Sequence, residues 1–360
     1  MPRNKNYLLS SMTSTKIGGS LKHVFFPRNI DELANNLRTV FKKNYSFYVL
    51  GGGTNTILGN QFDDNSSVLN LQKMNKIFLH KNATKKNKKP IIGTIETESG
   101  SNLQDVVNLG YSHRLAKFDY LNRIPGSIGG AIYGNAGAYG VEISELVEKI
   151  TVINLKIFFE LCNLAKNNNW ITVTEILRNS LQEYNYEESK FSYRNSVFKD
   201  SKHEFLIVKI RLKSLKIVKK DLVLDLENSY HKIAQIRDLN YSKNLKSPGS
   251  TFKNIQLSDI STESSTLIDK NWIYKNKIPV AKLLNTCESV NQPINGIKMK
   301  DNHCNILTNQ NPKNLSGTLE DVRTYLDKIK YQVEEKYGIR LEEEIRLIDK
   351  FHSISDTIIN

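Results

Sequence analysis

Two stretches of this sequence concentrate glycine where chemistry can use bare backbone. GGGTN spans residues 51–55, and RIPGSIGGAIYGNAGAYG, Arg123 to Gly140, holds six of the chain's nineteen glycines. Glycine weakens helices and strands because it loses the most conformational freedom on folding. Its concentration calls for tight turning or for a large group lying close to the backbone. Successive amides in such a stretch donate to phosphate oxygens as an anion nest. The chemistry on offer is the cradling of a large phosphate-bearing cofactor. A role in turning and packing alone stays open at this point.

The surrounding elements test that reading. SFYVL, Ser46 to Leu50, has the pattern of a strand and runs into GGGTN. A dinucleotide fingerprint would need strand, G-x-G-x-x-G, then helix. Thr56 stands where the last glycine belongs, TILGNQFDDNSS is not helical, and no Walker lysine follows. The common Rossmann and P-loop cradles are therefore excluded. NIDELANNLRTVF reads as a helix with an Asn29–Glu32 variant of the capping box. IIGTIETESG reads as a strand, and SNLQDVVNLG as a short helix boxed by Ser101 and Gln104. WITVTEIL and FLIVKIRLKSL look like strands because they are rich in β-branched residues. KDLVLDLENSYHKIAQIRDLN is helical in composition and opens a second domain. TLEDVRTYLDKIKYQVEEKYG is the clearest helix: Leu319, Val322, Leu326, Ile329 and Val333 share a face, Thr318 caps it and Gly338 stops it. IRLEEEIRLI follows as a strand, with Ile339, Leu341, Ile345 and Leu347 on one side and Glu342, Glu344 and Arg346 on the other.

Composition narrows the class. A chain of 360 residues is long enough for two to three compact units. It has no apolar run near the roughly 18 residues of a membrane span and no signal-peptide core, so a cytoplasmic protein without membrane contact is expected. Cys162, Cys287 and Cys304 are odd in number and far apart, which suggests neither a disulfide framework nor a metal site. His303 beside Cys304 is too little for a metal and reads as structural. The net charge is +14, with lysine outnumbering arginine 39 to 12. The lysines are scattered apart from the run Lys81 to Pro90, an exposed loop in appearance, and no nucleic-acid-binding signature occurs. A nucleic-acid partner is not expected.

Five stretches then fall in order: GGGTN at 51–55, IPGSIGGAIYGNAGAYG at 124–140, SYRNSVFK at 192–199, SPGSTFKN at 247–254 and LEEEIRLI at 341–348. Together with KIGGSLKHVFFPRNIDEL, Lys16 to Leu33, they resemble the UDP-N-acetylenolpyruvoylglucosamine reductases, over roughly residues 15 to 350. The resemblance implies an α+β fold: a two-lobed FAD-binding domain of the vanillyl-alcohol-oxidase-like (PCMH) type at 15–215, with lobes at about 15–60 and 61–215, and a smaller α+β substrate-binding domain at 216–350. It implies FAD as cofactor, NADPH as hydride donor, and a UDP-sugar enolpyruvyl ether as substrate, in peptidoglycan precursor synthesis. It carries cofactor contact to Gly51, Gly52, Gly53, Thr54, Asn55, Ile124, Pro125, Gly126, Ser127, Gly129, Asn135, Ala138 and Tyr139.

The implied reaction adds a hydride to the methylene carbon of the enolpyruvyl group and a proton to its neighbour. Within it, Ser250 suits the proton donor, because a hydroxyl stays protonated at neutral pH. Arg194 suits the fixed positive charge beside the developing enolate. Glu344 matches the family glutamate that supports the enolic intermediate. Tyr193, Lys253 and Asn254 are expected at the substrate. The family places a proline between the last two glutamates of LEPEVR, where this chain has Glu343, and the segment at 154–190 is longer than usual. The Arg194–Ser250 interval resembles the shorter, type II branch. A monomer is expected. The rival readings are a related FAD-dependent oxidase, which has no carbanion to protonate, and a basic nucleic-acid-binding protein.

Overall fold

The protein is described by a computed structural model covering residues 6–80, 91–168, 170–201, 204–217, 219–241, 244–310 and 317–359. The lysine-rich run at 81–90 lies outside the described residues. Among the described residues no helix is long and apolar enough to cross a membrane. The chain forms two compact units: a larger one from Lys22–Gly52, Asp64–Leu239 and Phe351–Asn360, and a smaller one from Met1–Leu21, Gly53–Asp63 and Asn240–Lys350.

Among its described residues the larger unit contains a three-stranded sheet, a five-stranded sheet and the short antiparallel pair of Gly137–Ala138 with Val141–Glu142. In the first, Ser66–Asn70 runs parallel between His23–Phe25 and Ser46–Leu50. The helix Ile30–Lys43 buries Leu33, Ala34, Leu37 and Val40. Its cap is half of the expected box. Asn29 accepts the Glu32 amide at 2.8 Å, but the Glu32 carboxylate takes the Arg28 amide at 2.9 Å. The second sheet is antiparallel, in the order Leu181–Tyr184, Val147–Asn154, Phe205–Leu215, Ile92–Glu98, Ile77–His80. Its core residues Ile95, Ile150, Ile210 and Leu212 join one cluster with Val106 and Val107 of the helix Leu103–Ser112 and with Ile128 and Ile132 of the helix Ile128–Tyr133. Those last two side chains are 0 % exposed, and each is worth ~1.5–3 kcal/mol of burial. They anchor the glycine-rich helix to the sheet.

Two local expectations change here. WITVTEIL is not a strand: Val173–Ser180 is a helix, opened by a reciprocal box between Thr172 and Glu175, with Ile176 and Leu177 buried. The box outweighs the β-branched composition, because β propensity is only a weak local preference. The helix Leu103–Ser112 is capped by Asn102, which accepts the Gln104 amide at 2.8 Å, not by Ser101. Ser101 is buried, and the Gln104 amide group donates to Asn108 and Asn122 instead of closing a box. The unfamiliar segment after Ile153 also contributes the helix Leu155–Leu164.

The smaller unit is built around the helix Leu319–Tyr337, which buries the expected face and adds Tyr325. Thr318 and Asp321 form its capping box, and Gly338 ends it in the left-handed region at φ 63°. The antiparallel pair Ile297–Lys300 and His303–Asn309 packs in the same core. Thr56–Leu58 pairs in parallel with Arg346–Ile348. The strand expected over IRLEEEIRLI is therefore short. Ile339, Leu341 and Ile345 are buried as expected, but at 342–344 the backbone bonds to residues 251–253 instead of continuing the ladder.

Candidate active site

The strand Ser46–Leu50 delivers the first glycine cluster against the start of the second. A Cβ on Gly51 would lie 2.2 Å from Ser127 Oγ, and one on Gly52 would lie 2.8 Å from Gly126 Cα. The Gly52 contact is with backbone and leaves no room for a side chain, whereas the Gly51 contact is with a hydroxyl that would have to rotate away. The close approach inferred from glycine content is thus partly an approach of the protein to itself. Gly129 likewise packs onto Ser99, and Gly53 onto the Met12 carbonyl. No helix follows GGGTN; the chain enters the strand Thr56–Leu58, as the missing fingerprint requires.

The amides then divide into two groups. Those of Ile128 and Gly129 donate to the carbonyls of Ser101 and Ser99 at 2.9 and 2.8 Å, and that of Gly130 donates to Ser127 Oγ at 3.3 Å. These are spent within the protein. The amides of Gly52, Gly126 and Ser127 make no hydrogen bond to another described residue. Backbone donors left this way want an acceptor, and donors gathered where two glycine segments touch suit a phosphate. Gly130, which the sequence reading did not single out, is exposed, and a Cβ there would meet nothing nearer than Ser127 Oγ at 3.4 Å. Packing does not demand glycine at that helical position, where glycine costs about 1 kcal/mol. Bare backbone there leaves room for a large group to lie on it. These features fit FAD. Ile124 packs against the core, Pro125 is exposed, and Ala138 is half-buried. Tyr139 is 46 % exposed.

Asn135 acts from inside the segment. It is 0 % exposed. Its Nδ2 donates to Glu142 Oε2 at 2.6 Å and to the Ser192 carbonyl at 2.9 Å, and its Oδ1 accepts the Ser144 amide at 3.3 Å. The Ser192 bond ties the glycine segment to the turn that bears Arg194. That turn is closed by paired bonds between Ser192 and Asn195, with Arg194 at φ 56°. The Arg194 guanidinium donates to the carbonyls of Gly137 at 2.9 Å and Asn135 at 3.4 Å, and sits 5.2 Å from the centre of the Tyr193 ring. Lys199 Nζ donates to the Arg194 carbonyl at 2.9 Å. A permanent cation is thereby fixed on the glycine segment.

Ser250 and Glu344 come together in the smaller unit. The Glu344 amide donates to the carbonyl of Thr251, next to Ser250, at 2.8 Å. Thr251 is itself held by Asn305, whose carbonyl accepts its amide at 2.8 Å. The Ser247 hydroxyl accepts the Gly249 amide at 3.1 Å, and Ser14 Oγ donates to the Ser247 carbonyl at 2.6 Å. The SPGS turn is thus braced on both sides, while the Ser250 hydroxyl bonds to no other described residue. Lys253 pairs with the Glu342 carboxylate, and Asn254 Oδ1 accepts the Val280 amide at 3.1 Å. Glu343, standing where the resemblance expects proline, is half-buried and paired with Lys330 of the long helix. His303 has a buried Nδ1 without a partner among the described residues, and burial lowers its pKa, favouring the neutral ring.

Comparison with known proteins finds two family matches along the chain. Residues 21–156 match the FAD binding domain family, and residues 240–348 match the family described as UDP-N-acetylenolpyruvoylglucosamine reductase, C-terminal domain. The chain is similar to UDP-N-acetylenolpyruvoylglucosamine reductases of Borrelia garinii subsp. bavariensis (26 % identical, covering 96 % of this chain and 93 % of that protein) and Aquifex aeolicus (28 %, 96 % and 95 %). Its fold is similar to the crystal structure of that reductase from Thermus caldophilus, with a TM-score of 0.62 at 19 % identity over 96 % of this chain and 99 % of the other. The architecture is thus the mixed α+β, PCMH-type arrangement expected from the sequence.

Proposed function

The chain belongs to the UDP-N-acetylenolpyruvoylglucosamine reductase family, and on that basis we propose that it reduces UDP-N-acetylglucosamine enolpyruvate to UDP-N-acetylmuramate with NADPH. The observation that carries the reading is the bond between the Glu344 amide and the Thr251 carbonyl, which sets the carboxylate-bearing segment directly beside Ser250. The short Arg194–Ser250 interval supports the type II branch. A monomeric cytoplasmic enzyme completes the reading.

Gly52, Gly126 and Ser127 would hold the FAD phosphates through their amides, and Gly130 would leave backbone bare beneath the cofactor. Bound FAD supplies the two-electron relay between NADPH and the methylene carbon of the enolpyruvyl ether. The remaining work falls to side chains. Ser250 donates its proton to the carbon that bears the carboxylate. A hydroxyl suits that task because it remains protonated until a strongly basic carbon forms beside it. Arg194 supplies a permanent positive charge, which lowers the energy of the negative charge that spreads into the substrate carboxylate. Glu344 supports the enolic species, and Tyr193, Lys253 and Asn254 stand as substrate contacts.

The test is an absorption spectrum. Purified protein is expected to be yellow, to bleach with NADPH, and to regain colour when the enolpyruvyl substrate is added without oxygen. Colourless protein that FAD cannot reconstitute overturns the reading.

A further inference from the structure

Asn55 was expected at the cofactor, yet its side chain is turned to another task. Its Nδ2 donates to the backbone carbonyl of Glu344 at 3.0 Å, and its own carbonyl accepts the Arg346 amide at 2.9 Å. Parallel pairing between Thr56–Leu58 and Arg346–Ile348 begins immediately beyond. Backbone pairing stops at Arg346 because the chain turns toward Thr251, whose carbonyl takes the Glu344 amide at 2.8 Å. Without a side-chain donor, the Glu344 carbonyl would lose this bond at the point where the ladder ends. Asn55 supplies it. Glu344 is therefore held through both its amide and its carbonyl.

We propose that Asn55 is a positioning residue for Glu344, fixing the backbone from which the carboxylate projects. The proposal rests on the function given above. The chemistry restricts the choice at position 55. Aspartate has the same shape but no donor when ionised, so it would turn an oxygen toward the Glu344 carbonyl. Alanine and serine are too short to replace the bond. The backbone carbonyl of residue 55, which accepts the Arg346 amide, survives every such substitution, so the side chain can be tested apart from it.

The experiment follows the two half-reactions of N55A and N55D by stopped flow, alongside FAD content and thermal melting. The ratio of flavin reoxidation by the enolpyruvyl substrate to flavin reduction by NADPH is expected to fall about tenfold in N55A, the order that follows from slight misplacement of a reacting group. It should fall further in N55D. The loss should appear in the maximal reoxidation rate more than in the substrate concentration giving half of it. Combined with E344Q, N55A should cost little more, because both changes disable one unit. A reoxidation-to-reduction ratio equal to wild type in N55A, or full additivity with E344Q, overturns the role of Asn55 alone. So does FAD loss in N55A that accounts for its whole defect. Wild-type protein whose reduced flavin ignores the substrate overturns the proposed function, and this role with it.

Discussion

Arg194 Nη2 donates to the Gly137 carbonyl at 2.9 Å, so the cation proposed for catalysis is seated on the glycine segment itself. The second bond, from Nη1 to the Asn135 carbonyl, is 3.4 Å. Two nitrogens of one rigid plane span two carbonyls that are two residues apart. A lysine ammonium is a single point and cannot reproduce that seat. R194K is therefore expected to behave nearly as badly as R194A, each losing about 10²–10³-fold in the rate of substrate reduction. Single-turnover reoxidation measures this, and near-wild-type R194K would show that charge alone suffices.

S250A separates the two halves of the reaction. Its flavin should still bleach with NADPH at the wild-type rate. Reoxidation by the enolpyruvyl substrate should fall by roughly 10²–10⁴-fold, the usual worth of a positioned proton donor. Substrate turnover that survives the change assigns the proton to another group.

The glycines are expected to respond differently by position. G52A drives a methyl against Gly126 Cα and should lower both the melting temperature and FAD retention. G130A meets no close protein atom. It should stabilise the FAD-free protein by about 1 kcal/mol through helix propensity, yet weaken FAD binding. Melting curves with and without FAD decide this. Stabilisation of both forms alike would mean that nothing lies on Gly130.

Asp119 is 2 % exposed, and its carboxylate accepts the Ser229 hydroxyl at 2.5 Å. Burial raises its pKa above the ordinary value, against the lowering effect of that bond. A raised folded-state pKa means that its contribution to stability is fully present below the unfolded pKa, near about 4, and is lost as pH rises through the folded value. D119N should melt close to wild type at strongly acid pH and above it at neutral pH. Parallel melting profiles across that window would refute the assignment.

Glu343 and Lys330 can be exchanged. E343K faces one cation with another, and K330E sets a third carboxylate beside Asp327 and Glu343. Each should destabilise by up to about 1 kcal/mol, as partly exposed pairs do. The double swap should recover most of that loss, whereas equal or summed losses would show that the pair contributes nothing.

The helix Leu319–Tyr337 was readable because cap, period and stop signal agree within twenty residues. Val173–Ser180 was misread because β-branched residues at 171–174 spoke for a strand while Thr172 and Glu175 spoke for a helix, and the reciprocal cap prevailed. IRLEEEIRLI kept its buried side yet lost most of its strand, since pairing depends on a neighbour that the segment does not contain. The same limit governs the site. Glycine content at 51–55 and 123–140 was visible, but the contact of Gly51 and Gly52 with Gly126 and Ser127 is a tertiary fact. The placement of Ser250 beside Glu344, and of Asn55 on the Glu344 carbonyl, joins residues too far apart in sequence for any spacing rule to connect.

The parallel pair of Thr56 with Arg346 also sets a timetable for synthesis. At about 5–20 residues per second, the strand Thr56–Leu58 leaves the ribosome roughly 15–60 s before its partner exists. Ile57 and Leu58, both 0 % exposed in the finished protein, must wait through that interval as an apolar strand without an edge to join. The smaller unit closes only when nearly the whole chain has emerged, so a ribosome stalled before Arg346 holds a protein that cannot complete this unit.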